Sequence, residues 1–120
     1  MRPRVRRLRW RDYRTAAGGR PVKDFLDHLT DEQAAAVVAA MKDVAENGLA
    51  SARHLRGEVY EVRAEAERQA FRVLFAQETA YILLSLSGFQ KKRQKTPADE
   101  IALAESRLTD WRRRGRRRAP

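Results

Sequence analysis

The stretch that most restricts the fold is "EVYEVRAEAERQAFRVLFAQETAYILLSLSG", residues 58–88. Its apolar residues recur at every second position, the period of a strand with one face buried. Tyr60 and Val62 fall on one side, and Val59, Glu61 and Arg63 on the other. In the next run Phe71, Val73 and Phe75 alternate with Arg72 and Leu74. "AYILLSLSG" is apolar on both sides, which suits a strand in the sheet interior. The connections, "AEAER" and "QE", are short. Short connections join antiparallel neighbours, so the three runs predict a meander.

Upstream, "VRRLRWR" also reads as a strand, with Leu8 and Trp10 on one face and Arg7, Arg9 and Arg11 on the other. An all-arginine face discourages pairing at a sheet edge. Pro21 is suited to a first helical turn. Val22, Phe25, Leu26 and Leu29 follow at helical spacing, predicting a helix over 21–28. "TDEQ" is a capping box in which Thr30 caps and Gln33 reaches back. Ala34, Val37, Val38, Met41, Val44 and Ala45 then form one stripe, with Met41 as core filler. Asn47 and Gly48 end that helix. Thr96 and Pro97 start the last one, with Asp99 placed for a second capping box. Its stripe is Ile101, Ala104, Leu108 and Trp111.

The expected class is α+β: a small antiparallel sheet, made of the N-terminal strand plus the three-strand meander. Two N-terminal helices pack on it and a C-terminal helix follows. The 120 residues suit one domain, expected over 1–112, with a basic, frayed tail at 113–120. No apolar run approaches the roughly 18 residues of a membrane span, and the basic N-terminus lacks the apolar segment of a secretory signal. A soluble cytoplasmic protein with no membrane partner is expected. There is no cysteine, hence no disulfide framework.

The net charge is +10. Residues 1–14 and 107–120 each hold 7 Arg and 1 Asp, so the two ends supply the excess. High basicity points to nucleic acid, although basic tails also serve solubility. The motifs of common chemistries are missing: no Ser/His/Asp set, no Gly-rich phosphate loop, no HExxH. His28, near a helix end, and His54 are far apart in sequence.

What remains is cationic. Arg56 precedes Gly57, Arg63 ends one strand, Arg72 interrupts the next, and Lys91, Lys92, Arg93 and Lys95 follow the third. Arg72 must face solvent or be paired, and Glu61 and Glu78 are its candidate partners. Arg63 is expected opposite residues 69–72. Its convergence with Lys91 depends on register and twist: one arrangement sets the end of the last meander strand beside the start of Arg63's strand, with Arg63 at the far end. Cations alone can promote one reaction of RNA, whose nucleophile, the 2′-OH, is already in the substrate. Arg binds two phosphate oxygens at once, and such donors stabilise charge in the transition state. That chemistry requires no metal.

Residues 58–108, with "YEVR", "FRVLF", "GFQKKRQKTP" and an Ala- and Glu-bearing helix in that order, resemble the RelE/HigB-type toxins of bacterial toxin–antitoxin systems, in particular their phage-derived, host-inhibition branch. "GGRPVKDFLDHLTDEQ" fits as well, so the resemblance covers about residues 8–112. It implies an antiparallel sheet flanked by helices. It implies a ribosome-dependent mRNA endoribonuclease that cuts in the A site, without cofactor or metal. It also implies a cognate antitoxin, often a helix-turn-helix protein. By position, Arg63 matches the arginine ending the family's "ELR"-like strand, Arg72 that of its "YR" motif, and Lys91 and Lys92 its "F-x-K-K" pair. These four are the expected catalytic residues. Arg56, Phe89, Arg93 and Lys95 are the expected RNA-binding residues, with Phe89 either anchoring the turn or stacking on a base. The related ParE toxins inhibit gyrase on the same fold, and a non-catalytic nucleic-acid binder is a further alternative.

Overall fold

The computed structural model describes residues 7–92 and 96–118. In chain order its elements are β1 (Arg9–Asp12), α1 (Pro21–Asp27), α2 (Asp31–Asn47), a 3-10 turn (Gly48–Ser51), β2 (Arg53–Arg56), β3 (Val59–Ala66), β4 (Gln69–Gln77), β5 (Ile82–Lys91) and α3 (Ala98–Arg118). The five strands form one sheet in the order β1-β5-β4-β3-β2.

The meander is present, with β3, β4 and β5 antiparallel in sequence. The sheet is nevertheless mixed, because β1 pairs with β5 in parallel, Arg9 opposite Ile82 through Asp12 opposite Ser85. A four-residue alternation identifies a strand but carries no direction, and the partner lies some seventy residues away. The pattern also missed β2. "RHLR" has no apolar alternation, yet it forms a hairpin with β3 around Gly57, whose φ of 53° suits glycine.

The sheet is covered on both faces. On one side α1 and α2 meet Val62, Ala64, Phe71, Val73, Phe75 and Leu83. On the other, α3 brings Ala104 and Leu108 onto Val59, Leu74, Ala76, Leu84 and Leu86. Burying each such Leu or Phe is worth roughly 1.5–3 kcal/mol. A bulge in β5, where Phe75 faces Ser85 and Leu74 faces Ser87, sends Leu86 into the α3-side layer.

Local signals act as the sequence predicts in α2. Thr30 Oγ1 accepts from the Gln33 N–H, and Gln33 Oε1 accepts from the Thr30 N–H at 3.0 Å. Gly48 caps the other end with φ 79°. Val38 departs from the expected stripe and is 48% exposed. The buried apolar residues of α2 are Val37, Val44 and Ala45, and Val37 and Val44 join the core cluster with β3 and β4.

Helix α3 continues through Arg118, beyond residue 112, so residues 113–118 of the segment expected to fray are helical. Its attachments explain why. The Tyr13 hydroxyl donates to Asp110 Oδ2 at 2.6 Å, and Arg114 pairs with Asp110 at 2.9 Å. Arg112 donates to both Glu58 oxygens, at 2.5 and 2.9 Å, and reaches Glu78 at 3.3 Å.

Two outcomes test this packing. A Cβ built on Gly88 would lie 2.3 Å from Phe25 Cδ2 and 2.7 Å from its Cγ. The collision includes Cγ, the root of the ring, which rotation of the ring about χ2 leaves in place. Gly88→Ala should therefore cost about 1–3 kcal/mol in urea unfolding, and Phe25→Leu in the same chain should recover part of it. Second, the hydrogen bond from Arg112 holds the Glu58 carboxyl below its usual range, and those from Tyr13 and Arg114 do the same for Asp110. A carboxyl depressed in the folded state stabilises above its ordinary pKa and loses that contribution as pH falls through the lowered value. Stability should decline below about pH 4, and Glu58→Gln with Asp110→Asn should flatten that decline in unfolding curves taken across pH.

Candidate active site

The alternation of three strands builds the site. Glu61 and Arg63 of β3, Arg72 of β4 and Phe89 and Lys91 of β5 share the α3 side of the sheet. Arg63 pairs across with Arg72, and Arg72 with Phe89, in a single row. Lys91 lies one row further, opposite Ala70. In a meander the first and third strands run the same way. The last residues of β3 and β5 therefore meet at one end of the sheet, and the arrangement that placed Arg63 at the far end is corrected.

Burial sorts these residues into different tasks. The Arg63 side chain is 44% exposed, that of Arg72 7%, and that of Glu61 is fully buried. Arg63 Nε donates to Glu61 Oε1 at 2.8 Å. The same oxygen lies 3.8 Å from Arg72 Nε, too far for a hydrogen bond. Arg72 Nε has no hydrogen-bond partner among the described residues, while Arg72 NH1 donates to the Phe71 carbonyl at 2.8 Å. The other carboxylate oxygen of Glu61 accepts from the Thr96 hydroxyl. Two like charges directly across a strand pair repel. Glu61 offsets one of them and leaves an excess of positive charge in a poorly screened place.

Among the described residues only Nε of Arg63 is bonded, so its two terminal nitrogens can serve another acceptor. Lys91 is half-buried on the same face. Lys92 is exposed, one residue past the strand, and the sheet does not direct it. Arg93 and Lys95 lie outside the described residues. Phe89 packs into the α3-side core layer, the anchoring role.

Arg56 does not join this group. It sits at the Gly57 turn, at the start of β3, about 13 Å along the strand from Arg63. Its guanidinium is bonded to Glu105 Oε1 at 3.1 and 2.5 Å. His54 is also at that end, against Tyr60 and the Gly57 carbonyl. His28 Nδ1 lies 2.7 Å from the Asp24 carbonyl of its own helix. Of the two partners considered for Arg72, Glu61 is the one it meets, since Glu78 is engaged by Arg112.

Thr96 is the site residue that sequence reasoning missed, and Glu61, considered as a partner of Arg72, was not read as the partner of Arg63. Glu61 had a visible signal, since it shares the face of Arg63. Thr96 was expected to cap α3. The helix begins instead at Ala98, and the Thr96 hydroxyl is spent on Glu61, tying the start of α3 to the arginine row.

The model of the phage-derived Gp49-like family (DUF891) matches residues 24–109. The chain belongs to this family. It is also 35% identical over 107 residues to the probable endoribonuclease HigB1 of Mycobacterium tuberculosis, in both the CDC 1551/Oshkosh and ATCC 25618/H37Rv strains. The match covers 87% of this chain and 85% of HigB1. The resemblance to RelE/HigB-type toxins thus extends over nearly the whole of this Gp49-like protein. The family match contains Glu61, Arg63, Arg72, Phe89 and Lys91, whereas β1 and the last turns of α3 lie outside it.

The role given to Glu61 in this Gp49-like protein has a direct test. Glu61→Gln leaves two neighbouring guanidiniums with no buried counter-charge, and should cost about 3–5 kcal/mol. Arg72→Met in the same chain removes the buried cation and should return most of that loss in a urea double-mutant cycle. Equal, additive losses would mean that Glu61 does not couple to Arg72.

Proposed function

We propose that this protein is the toxin of a type II toxin–antitoxin pair and an endoribonuclease that cuts mRNA in the ribosomal A site. The observation that carries the reading is the gathering of Arg63, Arg72 and Lys91 at one end of one sheet face, in a relative of a probable endoribonuclease.

In this reaction the ribose 2′-oxygen attacks the adjacent phosphorus and loses its proton. The bond from phosphorus to the 5′-oxygen breaks, and that oxygen gains a proton. The products are a 2′,3′-cyclic phosphate and a 5′-hydroxyl. Charge accumulates on the non-bridging oxygens as the phosphorus becomes five-coordinate. The terminal nitrogens of Arg63 bind two of those oxygens through its planar fork. Lys91 supplies a point charge from the neighbouring row. Arg72, too buried for open contact, holds the positive potential beneath them. Glu61 holds Arg63 by a hydrogen bond, and Arg72 is held by the Phe71 carbonyl, before substrate arrives, so little reorganisation is needed during the reaction. The partners in this reading are mRNA on the ribosome and a cognate antitoxin, of helix-turn-helix type, in the cytoplasm.

The test is controlled expression in bacteria with mapping of mRNA 5′ ends on ribosomes. Wild type should slow growth and yield ends within A-site codons. Arg63→Ala and Lys91→Ala should each lower cleavage about 10²–10³-fold. Slowed growth with intact mRNA and broken DNA would overturn the reading in favour of gyrase inhibition.

A further inference from the structure

The two Arg-rich ends of the sequence are joined by the fold. Parallel pairing with β5 puts β1 and the residues after it beside the later turns of α3. Tyr13 and Trp111, with ring centroids 6.4 Å apart, form the floor of that seam. Guanidiniums stand over both rings. Arg11 lies 5.3 Å from the Trp111 centroid, and Arg107 and Arg114 lie 5.7 and 5.5 Å from that of Tyr13. Arg114 also donates to the Arg14 carbonyl, closing the seam. A groove of about 540 Å³ runs between Arg11, Arg14, Thr15, Trp111 and Arg114. Arg107 and Arg113 border a second depression against Tyr13. Of these cations, only Arg114 has a carboxylate partner among the described residues. Asp110 is shared with Tyr13 and Arg114, and Asp12 is held by Arg20 at 2.7 and 2.8 Å.

We infer that this seam binds the sugar–phosphate backbone of an RNA segment other than the one being cut. Three features favour a linear polyanion over a small anion. The cations are laid out in rows rather than converging, since Arg107 and Arg114 are two helical turns, about 10 Å, apart along α3. All of them are Arg. Arg107 gives one N–H to the Leu86 carbonyl, and Arg114 is taken up by Asp110 and the Arg14 carbonyl. The Arg11 guanidinium, stacked on Trp111, has no hydrogen-bond partner among the described residues and keeps its N–H edge for phosphate oxygens. Arg11, Arg14 and Arg113 are exposed, so a chain of phosphates can reach them without displacing the core. The seam is also remote from the candidate active site: Ser85, the last β5 residue paired with β1, is six positions, about 20 Å, from Lys91. The choice of RNA rests on the endoribonuclease reading, while the anionic backbone as ligand does not.

The experiment measures binding of a fluorescent single-stranded 2′-O-methyl RNA, which has no free 2′-OH to attack, across a range of salt. Each phosphate contact contributes about 0.7 to the slope of log affinity against log salt. Arg11→Gln/Arg14→Gln/Arg113→Gln should lower that slope by about 2 and weaken binding at least tenfold at low salt. Arg14→Gln/Arg113→Gln keeps the Arg11 stack on Trp111 and should lower it by about 1.4. An equal loss of charge elsewhere, Lys23→Gln/Lys42→Gln/Arg68→Gln, should lower it by less than half as much as the seam triple. Equal slopes for the two triples would overturn the inference, reducing the effect to net charge. So would a seam triple that keeps the wild-type slope but no longer binds a polyglutamate peptide, which would assign the surface to an acidic protein. Because the probe cannot be cut, the result is independent of cleavage. Binding through the seam without cleavage on ribosomes would count against the endoribonuclease alone, and cleavage with an unaltered salt slope against the seam alone.

Discussion

The buried carboxylate of Glu61 is the contact on which the functional end of this molecule depends. It lies between two arginines that the register of β3 and β4 forces into one row. Without a negative charge there, one guanidinium would stand buried beside another, an arrangement costing several kcal/mol. With it, Arg72 can remain almost fully covered while Arg63 keeps part of its side chain in solvent. Through Thr96 the same carboxylate holds the start of α3 against the sheet. One side chain thus links the charge arrangement of the site to the placement of a helix.

The far end of α3 is held by different means. There Arg112 bridges Glu58 and Glu78, and the Tyr13 hydroxyl meets Asp110. These contacts are partly exposed and individually modest. They act together because the helix between them is already fixed by Ala104 and Leu108 on the sheet. The result places positive charge in two separate regions of one side of the molecule. The family match spans the Arg63 region and stops short of most of the seam between β1 and α3. A compact site for a single phosphate and a longer cationic track are physically different devices, and they are built from different parts of this chain.

Much of the architecture was legible in the residues. Alternation identified β3 and β4 and assigned their faces correctly, because an unbroken period of two fixes which side chain points where. Strand β5 was legible as an interior strand from its apolarity, but its faces were set by the bulge at Leu86. The capping box at Thr30 and the stop at Gly48 bounded α2, since both are local hydrogen-bonding and backbone effects. Signals failed where a residue answered to a distant partner. Thr96 has the form of a helix cap but bonds to Glu61, thirty-five positions away. Arg56 belongs to the basic set by composition, yet the hairpin turn carries it to the opposite end of the sheet, onto Glu105. "RHLR" became a strand because β3 offered it an edge, with little help from its own pattern.

By itself, then, the sequence determined the helices, four of the five strands, the faces of β3 and β4 and the identity of the cations, since these follow from local stereochemistry and from spacing along one chain. Tertiary structure decided which cations work together. The common direction of β3 and β5 brought Arg63 and Lys91 to one end, burial separated the task of Arg72 from that of Arg63, and the parallel pairing of β1 with β5 united the two basic ends. Those outcomes depend on strand register and on contacts between residues remote in sequence, which no local pattern encodes.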